Sequence, residues 1–165
     1  MGDIPSIWRT ETWHPLSVHF PIAFLLLATL VCLVIYFASG EQRKFLQYCR
    51  AGLLMIGTVT IWIAIYTGSL AYNVVVRKIC DPQMLGEHQW YAYASAITYS
   101  TAMFTEWVLY LKIISKNKLL VHAITILLII GAFGLGYAGH LGASVVYQQG
   151  AGVYQPTEDC VEFNE

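Results

Sequence analysis

Four long segments with almost no charged side chains constrain the fold of this chain more than any other feature. They cover residues 16–38, 51–76, 89–111 and 119–147 of a chain of 165 residues. A helix needs about 20 consecutive apolar residues to cross the ~30 Å hydrocarbon core of a bilayer. Charged residues make up 12% of the chain, whereas soluble domains carry about 25%. The pattern predicts a single all-α, multi-pass membrane domain over residues 1–165 and excludes a soluble enzyme.

The basic residues fall unevenly on the two sides that these spans define. One side, between spans one and two and around the end of span three, holds six of them: Arg43, Lys44, Arg50, Lys112, Lys116 and Lys118. The other side holds Arg9, Arg77 and Lys78, together with an acidic tail, residues 148–165. Positive residues near span ends are retained in the cytoplasm. We therefore expect a four-helix up-down bundle in a bacterial inner membrane, with both termini periplasmic.

Four of the five histidines lie at the predicted periplasmic ends of the spans. His14 and His19 open the first span, His88 opens the third, and His140 lies near the end of the fourth, whereas His122 lies at the opposite end. A single histidine at a membrane interface indicates little. Four from three helices at one level predict a site, because imidazole is the commonest metal ligand and ionisable residues are rare inside membranes.

Haem b is the cofactor that fits this histidine cluster best. No cysteine or carboxylate pair lies at the same depth, which disfavours structural zinc or a di-iron centre. Haem takes axial imidazoles from opposite sides, and we expect His19 and His88 to be that pair. His14 and His140 are then a second ligand pair, or bind propionates or a quinone, and Arg77 is a cation for a propionate.

The cysteines and the one acid within a span give two further expectations. Cys80 and Cys160 both lie on the predicted periplasmic side, where disulfides persist, and we expect them to pair. Glu106 lies near the cytoplasmic Lys112, so its carboxylate is expected to extend toward the inner interface.

Two stretches of the chain carry a resemblance to a known family. WHPLSVHFPIAFLLL, residues 13–27, and GHLGASVVYQQGAGV, residues 139–153, are similar to the opening and closing motifs of the bacterial and archaeal membrane family of domain of unknown function 2231. Ala143 replaces the second glycine of the closing motif. The resemblance assigns His14, His19 and His88 to the family pattern and His140 to a subset. Members occur beside or fused to Rieske and cytochrome c domains, which implies a redox setting.

Three functions remain open at this point. The first is a haem b cytochrome of a respiratory chain, passing electrons near the periplasmic face from quinol to an acceptor such as a cytochrome c or Rieske protein. The second is a non-catalytic membrane subunit that anchors or stabilises a larger respiratory complex. The third is a periplasmic-side copper or other metal site. The sequence contains no nucleophile with a base, no phosphate loop and no nucleic-acid patch, so we expect electron transfer rather than catalysis.

Overall fold

The computed structural model describes residues 6–111 and 118–153, and this part of the chain is helical. The elements are α1 (Thr10–Ser17), α2 (His19–Val34), a 3₁₀ turn (Ile35–Phe37), α3 (Gly40–Val75), α4 (Pro82–Tyr110) and α5 (Lys118–Tyr147). Val18, between α1 and α2, keeps helical backbone angles, so these two form one helical path. Pro15 and Pro21 lie along this path, and each removes one backbone hydrogen bond from it.

The helices begin before the apolar runs that identify them. Helix α3 has 36 residues, and its polar opening turns precede the run that begins at residue 51. Helix α4 begins at Pro82, seven residues before its predicted span, because Asp81 accepts hydrogen bonds from the amides of Gln83 and Met84 at 3.0 and 3.3 Å. Proline at the first helical position and a capping aspartate together fix a helix start. Hydropathy alone does not detect such ends.

Three of these helical segments are long and apolar enough to cross a membrane. They are Thr10–Phe37, Gly40–Val75 and Leu119–Tyr147, with mean hydropathies of 2.6, 1.7 and 2.4. At most 33% of the most apolar window of each is buried, so most of its apolar surface faces outward, as lipid contact requires. Helix α4 occupies the place of the predicted third span, but it is more polar and is not among the three.

Close approaches of small residues hold the helices together in two pairs. Leu25 of α2 packs on Gly57 of α3, where an added Cβ would lie 2.5 Å from the leucine side chain. Tyr99 of α4 packs on Gly131 of α5, where an added Cβ would lie 2.8 Å from the ring. Small residues allow helix backbones to approach closely, which is the main source of association energy in membranes.

A buried ion pair joins α3 to α4. Nη2 of Arg50 donates to both carboxylate oxygens of Glu106 at 2.8 and 2.7 Å, and Nη1 donates to Sγ of Cys32 at 3.5 Å. The Arg50 and Glu106 side chains are only 6% and 16% exposed. The expectation that Glu106 extends to the inner interface is therefore wrong. Because Nη2 contacts both oxygens, the arginine neutralises the buried carboxylate where it lies, and the side chain need not extend to the interface.

We expect loss of this ion pair to destabilise the protein strongly. Replacing Arg50 with alanine leaves the Glu106 carboxylate buried without its partner, which should lower the free energy of unfolding by about 3–5 kcal/mol. Lys44→Ala is the control, because the Lys44–Glu41 pair is 66% and 88% exposed and should contribute less than about 1 kcal/mol. Denaturant titration in detergent micelles measures both, and equal losses would contradict this account.

Candidate functional site

His14 and His88 meet at the end of the molecule that is remote from the ion pair. Their ring centroids are 6.0 Å apart, and the ring planes are inclined by 72°. Both side chains are half-buried, whereas His19, His122 and His140 are exposed. His14 packs against Gly68, which lies 18 residues after Arg50 on α3. The histidine pair and the Arg50–Glu106 ion pair are therefore roughly 27 Å apart along that helix.

Each of the two imidazoles is anchored by a backbone carbonyl. Nδ1 of His14 lies 2.9 Å from the carbonyl oxygen of Ala64 on α3, and Nδ1 of His88 lies 2.8 Å from that of Ala138 on α5. A carbonyl oxygen only accepts hydrogen bonds, so Nδ1 of both rings carries the proton. In the neutral rings, Nε2 then presents a bare lone pair. Within the described residues, neither Nε2 has a hydrogen-bond partner.

A glycine lies directly against each ring. A Cβ added to Gly68 would lie 3.0 Å from Cε1 of His14, and a Cβ added to Gly142 would lie 3.0 Å from Cε1 of His88. Each glycine is four residues after the alanine whose carbonyl accepts the bond from Nδ1. A side chain at that position would cover the carbonyl, because residues i and i+4 lie on the same face of a helix. Glycine therefore gives the imidazole access to it.

The two halves of the site repeat each other at a constant spacing. Each histidine lies 50 residues before its carbonyl partner. His88 lies 74 residues after His14, Ala138 lies 74 residues after Ala64, and Gly142 lies 74 residues after Gly68. The same spacing relates buried positions of α3 and α5 along their whole packed length: 50, 54, 57, 61, 64, 67, 71 and 124, 128, 131, 135, 138, 141, 145. The segments α1–α3 and α4–α5 are thus structurally equivalent halves.

The histidine pair lies between two apolar clusters. On α3, Ile61 belongs to one cluster and Val75 to the other, and Ala64 and Gly68 lie between them. On α5, Leu135 and Val145 flank the pair in the same way. Two half-buried imidazoles are therefore placed between apolar clusters. Such an arrangement is typical of a functional site rather than of packing.

The other residues of the predicted site do not join this pair. His19 is exposed on α2, and His140 is exposed on α5 with its ring 6.2 Å from that of Tyr137. Arg77 is exposed just after α3. The structure brings His88 together with His14, not with His19. A role for His19 and His140 in cofactor binding stays a prediction.

The predicted disulfide joins Cys80 to Cys160, and the structure describes only Cys80. Cys80 is a free, exposed thiol in the loop before α4, and Cys160 lies outside the described residues. The structure therefore contains no support for the predicted disulfide. Among the described residues, no group of three or more histidine, cysteine, aspartate or glutamate side chains is arranged to hold a metal ion.

Arg9 is a residue near the site that sequence reasoning missed. Its Nη2 donates to the carbonyl oxygen of Gly152 at 3.3 Å, and Nη1 lies 3.6 Å from the Glu11 carboxylate. Its Nε is buried and has no hydrogen-bond partner among the described residues. Arg9 precedes His14 by five residues, roughly 7 Å along the helix axis and 140° around it. The sequence shows that Arg9 lies beside the histidine motif, but it does not show the tertiary contact between Arg9 and Gly152.

Comparison with known proteins identifies a family but no characterised relative. A family model described as predicted membrane protein, domain of unknown function 2231, matches residues 10–155. No curated protein and no solved structure matches the chain.

Alanine at Gly142 should displace the His88 ring, because its Cβ would lie 3.0 Å from Cε1 and 3.3 Å from Nδ1. We expect the protonated Nδ1 signal of His88 to shift in ¹⁵N NMR spectra of histidine-labelled protein in bilayers. Gly139→Ala is the matched control on α5, since nothing lies within 4 Å of its added Cβ. Equal spectra for both variants, or a native ring protonated only at Nε2, would contradict the assigned tautomer.

Proposed function

Because the chain belongs to the membrane protein family of domain of unknown function 2231, we propose that it is an integral membrane electron carrier that holds haem b between His14 and His88. The observation that supports this most directly is the pair of Nε2 lone pairs, whose rings lie 6.0 Å apart. A metal centre is one group that two imidazole lone pairs can share. Haem iron supplies reversible one-electron chemistry when it is bound.

The number of ligands favours haem over a non-haem metal ion. Zinc and related ions in proteins require three or four protein ligands, and the described residues offer no such group. Haem iron already has four porphyrin nitrogens and takes only two axial ligands. The two anchored imidazoles match that requirement.

The separation and anchoring of the rings also fit axial ligation. The ring centroids lie 6.0 Å apart, so both imidazoles would be within reach of one bound metal centre. Histidines that bind metals generally donate their other N–H to a carbonyl or carboxylate, which fixes the tautomer and the ring orientation. Ala64 and Ala138 provide those carbonyls.

Arg9 is the residue that fits a propionate best. Among the described residues its buried Nε–H has no partner, and a propionate carboxylate is a strong acceptor for an arginine. Arg77, the cation expected from the sequence, is exposed. In the proposed site, Arg9 orients the cofactor edge and His14 and His88 hold its centre.

The proposed membrane arrangement follows from helix packing and basic residues. We propose that the four helical segments form an up-down bundle in a bacterial inner membrane, with the histidine pair and both termini at the periplasmic side. The six basic residues on the opposite side support this orientation. A site close to the periplasmic surface suits exchange of electrons with a soluble cytochrome c or a Rieske protein.

Removal of either paired histidine should abolish haem binding. We expect His14→Leu and His88→Leu to lose nearly all of the reducible α and Soret bands, since one imidazole does not complete the axial set. His19→Leu and His140→Leu remove exposed rings and should keep haem near the native level. Reduced-minus-oxidised difference spectra of purified protein, produced with ample haem, measure this content.

Circular dichroism of each variant shows whether the helices persist. A native protein without reducible bands would end the haem proposal. Elemental analysis that finds stoichiometric copper would then favour the metal-site alternative.

A further inference from the structure

A small cleft opens between α4 and α5, on the outward face of the second half. It encloses about 270 Å³, and we refer to it as the Ser95 cleft. Its wall is formed mainly by Trp90, Tyr91, Ser95, Thr98, Ile130 and Gly134. Trp90 and Ile130 are 64% and 55% exposed, so the mouth of the cleft lies on the outward apolar surface of the helices.

The floor of the cleft carries an unsatisfied hydroxyl group. Ser95 is 2% exposed, and its Oγ has no hydrogen-bond partner among the described residues. Gly134 lies against this hydroxyl, since a Cβ added there would lie 2.7 Å from Oγ of Ser95, and both residues line the cleft. Buried hydroxyl groups are nearly always paired. An acceptor from outside the chain would satisfy this one.

The walls of the cleft suit a flat ring. Trp90 and Tyr91 have ring centroids 4.8 Å apart at 83°, and Tyr91 and Tyr137 have centroids 4.6 Å apart at 74°. These edge-to-face contacts hold the aromatic side chains in fixed orientations. A volume of about 270 Å³ falls just below the ~300–1,000 Å³ of typical ligand pockets. It accommodates one substituted ring rather than a whole phospholipid.

We propose that the Ser95 cleft binds the head group of a quinone. A quinone carbonyl oxygen accepts the hydrogen bond from Ser95, the ring lies against Trp90 and Tyr91, and the isoprenoid tail extends into lipid. This inference rests on the proposed function, since a quinone is a membrane-soluble redox partner for an electron carrier. Ser95 follows His88 by seven residues and shares its face toward α5, so the cleft lies roughly 10 Å from the histidine pair along α4.

The equivalent groove of the first half lacks this feature. That groove is larger, about 560 Å³, and is lined by Trp13, Ser17, Thr60 and other residues of α1–α3. Its hydroxyl groups are paired: Oγ of Ser17 lies 2.8 Å from Oγ1 of Thr67, and Thr60 donates to the carbonyl oxygen of Ile56 at 2.9 Å. The residue 74 positions before Ser95 is Pro21, which has no donor. The quinone is therefore assigned to the second half.

Titration of the full-length protein with decylubiquinone tests this site. Tryptophan fluorescence reports binding because Trp90 stands at the mouth of the cleft. We expect saturable quenching in the native protein and an affinity about 5- to 10-fold lower in Ser95→Ala, because one hydrogen bond is lost. Thr98→Ala is the matched control. It also removes a hydroxyl from the wall, but that hydroxyl already donates to the carbonyl oxygen of Ala94 at 2.8 Å, so its affinity should stay native.

Each outcome of the titration decides the proposal. Absence of saturable quenching, or equal weakening by both variants, overturns it. Decylbenzene has the ring and the tail but no carbonyl, and if it binds as tightly as the quinone, the cleft holds a lipid-like chain instead. Haem spectra of the same samples separate this result from the proposed function. Ser95→Ala should keep its haem, and a haem-free protein that still binds quinone through Ser95 would overturn only the haem proposal.

Discussion

The arrangement of the site depends on two hydrogen bonds from imidazole Nδ1–H to helix carbonyls, at Ala64 and Ala138. A helix carbonyl already accepts an intrahelical bond, but its oxygen has a second lone pair. That lone pair is reached only where no side chain covers it, and Gly68 and Gly142 provide the opening. The bonds then fix which nitrogen of each ring is free. In the proposed function, the use of both rings as metal ligands depends on that choice of tautomer.

The constant spacing of 74 residues gives the pair its geometry. Each half contributes one histidine, one accepting carbonyl and one glycine, so the two rings are brought together by the packing of one half on the other. Residues 74 positions apart differ in chemistry at the opposite end of the molecule, where the Arg50–Glu106 ion pair lies. Arg50 corresponds to Ile124, and Glu106 corresponds to Cys32. Arg50 contacts both Cys32 and Glu106, so one arginine joins equivalent positions of the two halves.

The sequence predicts where the helices lie along the chain better than it predicts which face of each helix is buried. Uncharged runs are local, and they locate all four helical segments. Depth along a helix is also local, which is why His14, His19, His88 and His140 were assigned to one layer. The direction of each side chain requires the angle around the helix as well. Five residues advance a helix by roughly 140°, so His14 and His19 do not share a face, and only His14 points inward.

The angle around the helix also explains the direction of the His140 side chain, but it does not explain which residue pairs with Glu106. His140 follows Ala138 by two residues, roughly 200° around α5, and therefore points away from the carbonyl that anchors His88. This was readable from the sequence once a buried position on α5 was known. The partner of Glu106 was not, since Arg50 is 56 residues away and is equally suited to a cytoplasmic loop. Long-range register is set by the packing of helices, which no local pattern records.

Division of the site between two halves links cofactor binding to stability. The helices pack more extensively within each half, α2 on α3 and α4 on α5, than across the boundary between the halves. A group ligated by His14 and His88 crosses that boundary, so it adds a connection where the protein itself makes fewer. Any ligand that binds only the folded state stabilises it in proportion to the logarithm of its concentration over its dissociation constant. In the proposed function, a bound group would hold the histidine end together, whereas the opposite end is held by the Arg50–Glu106 ion pair that the chain supplies itself.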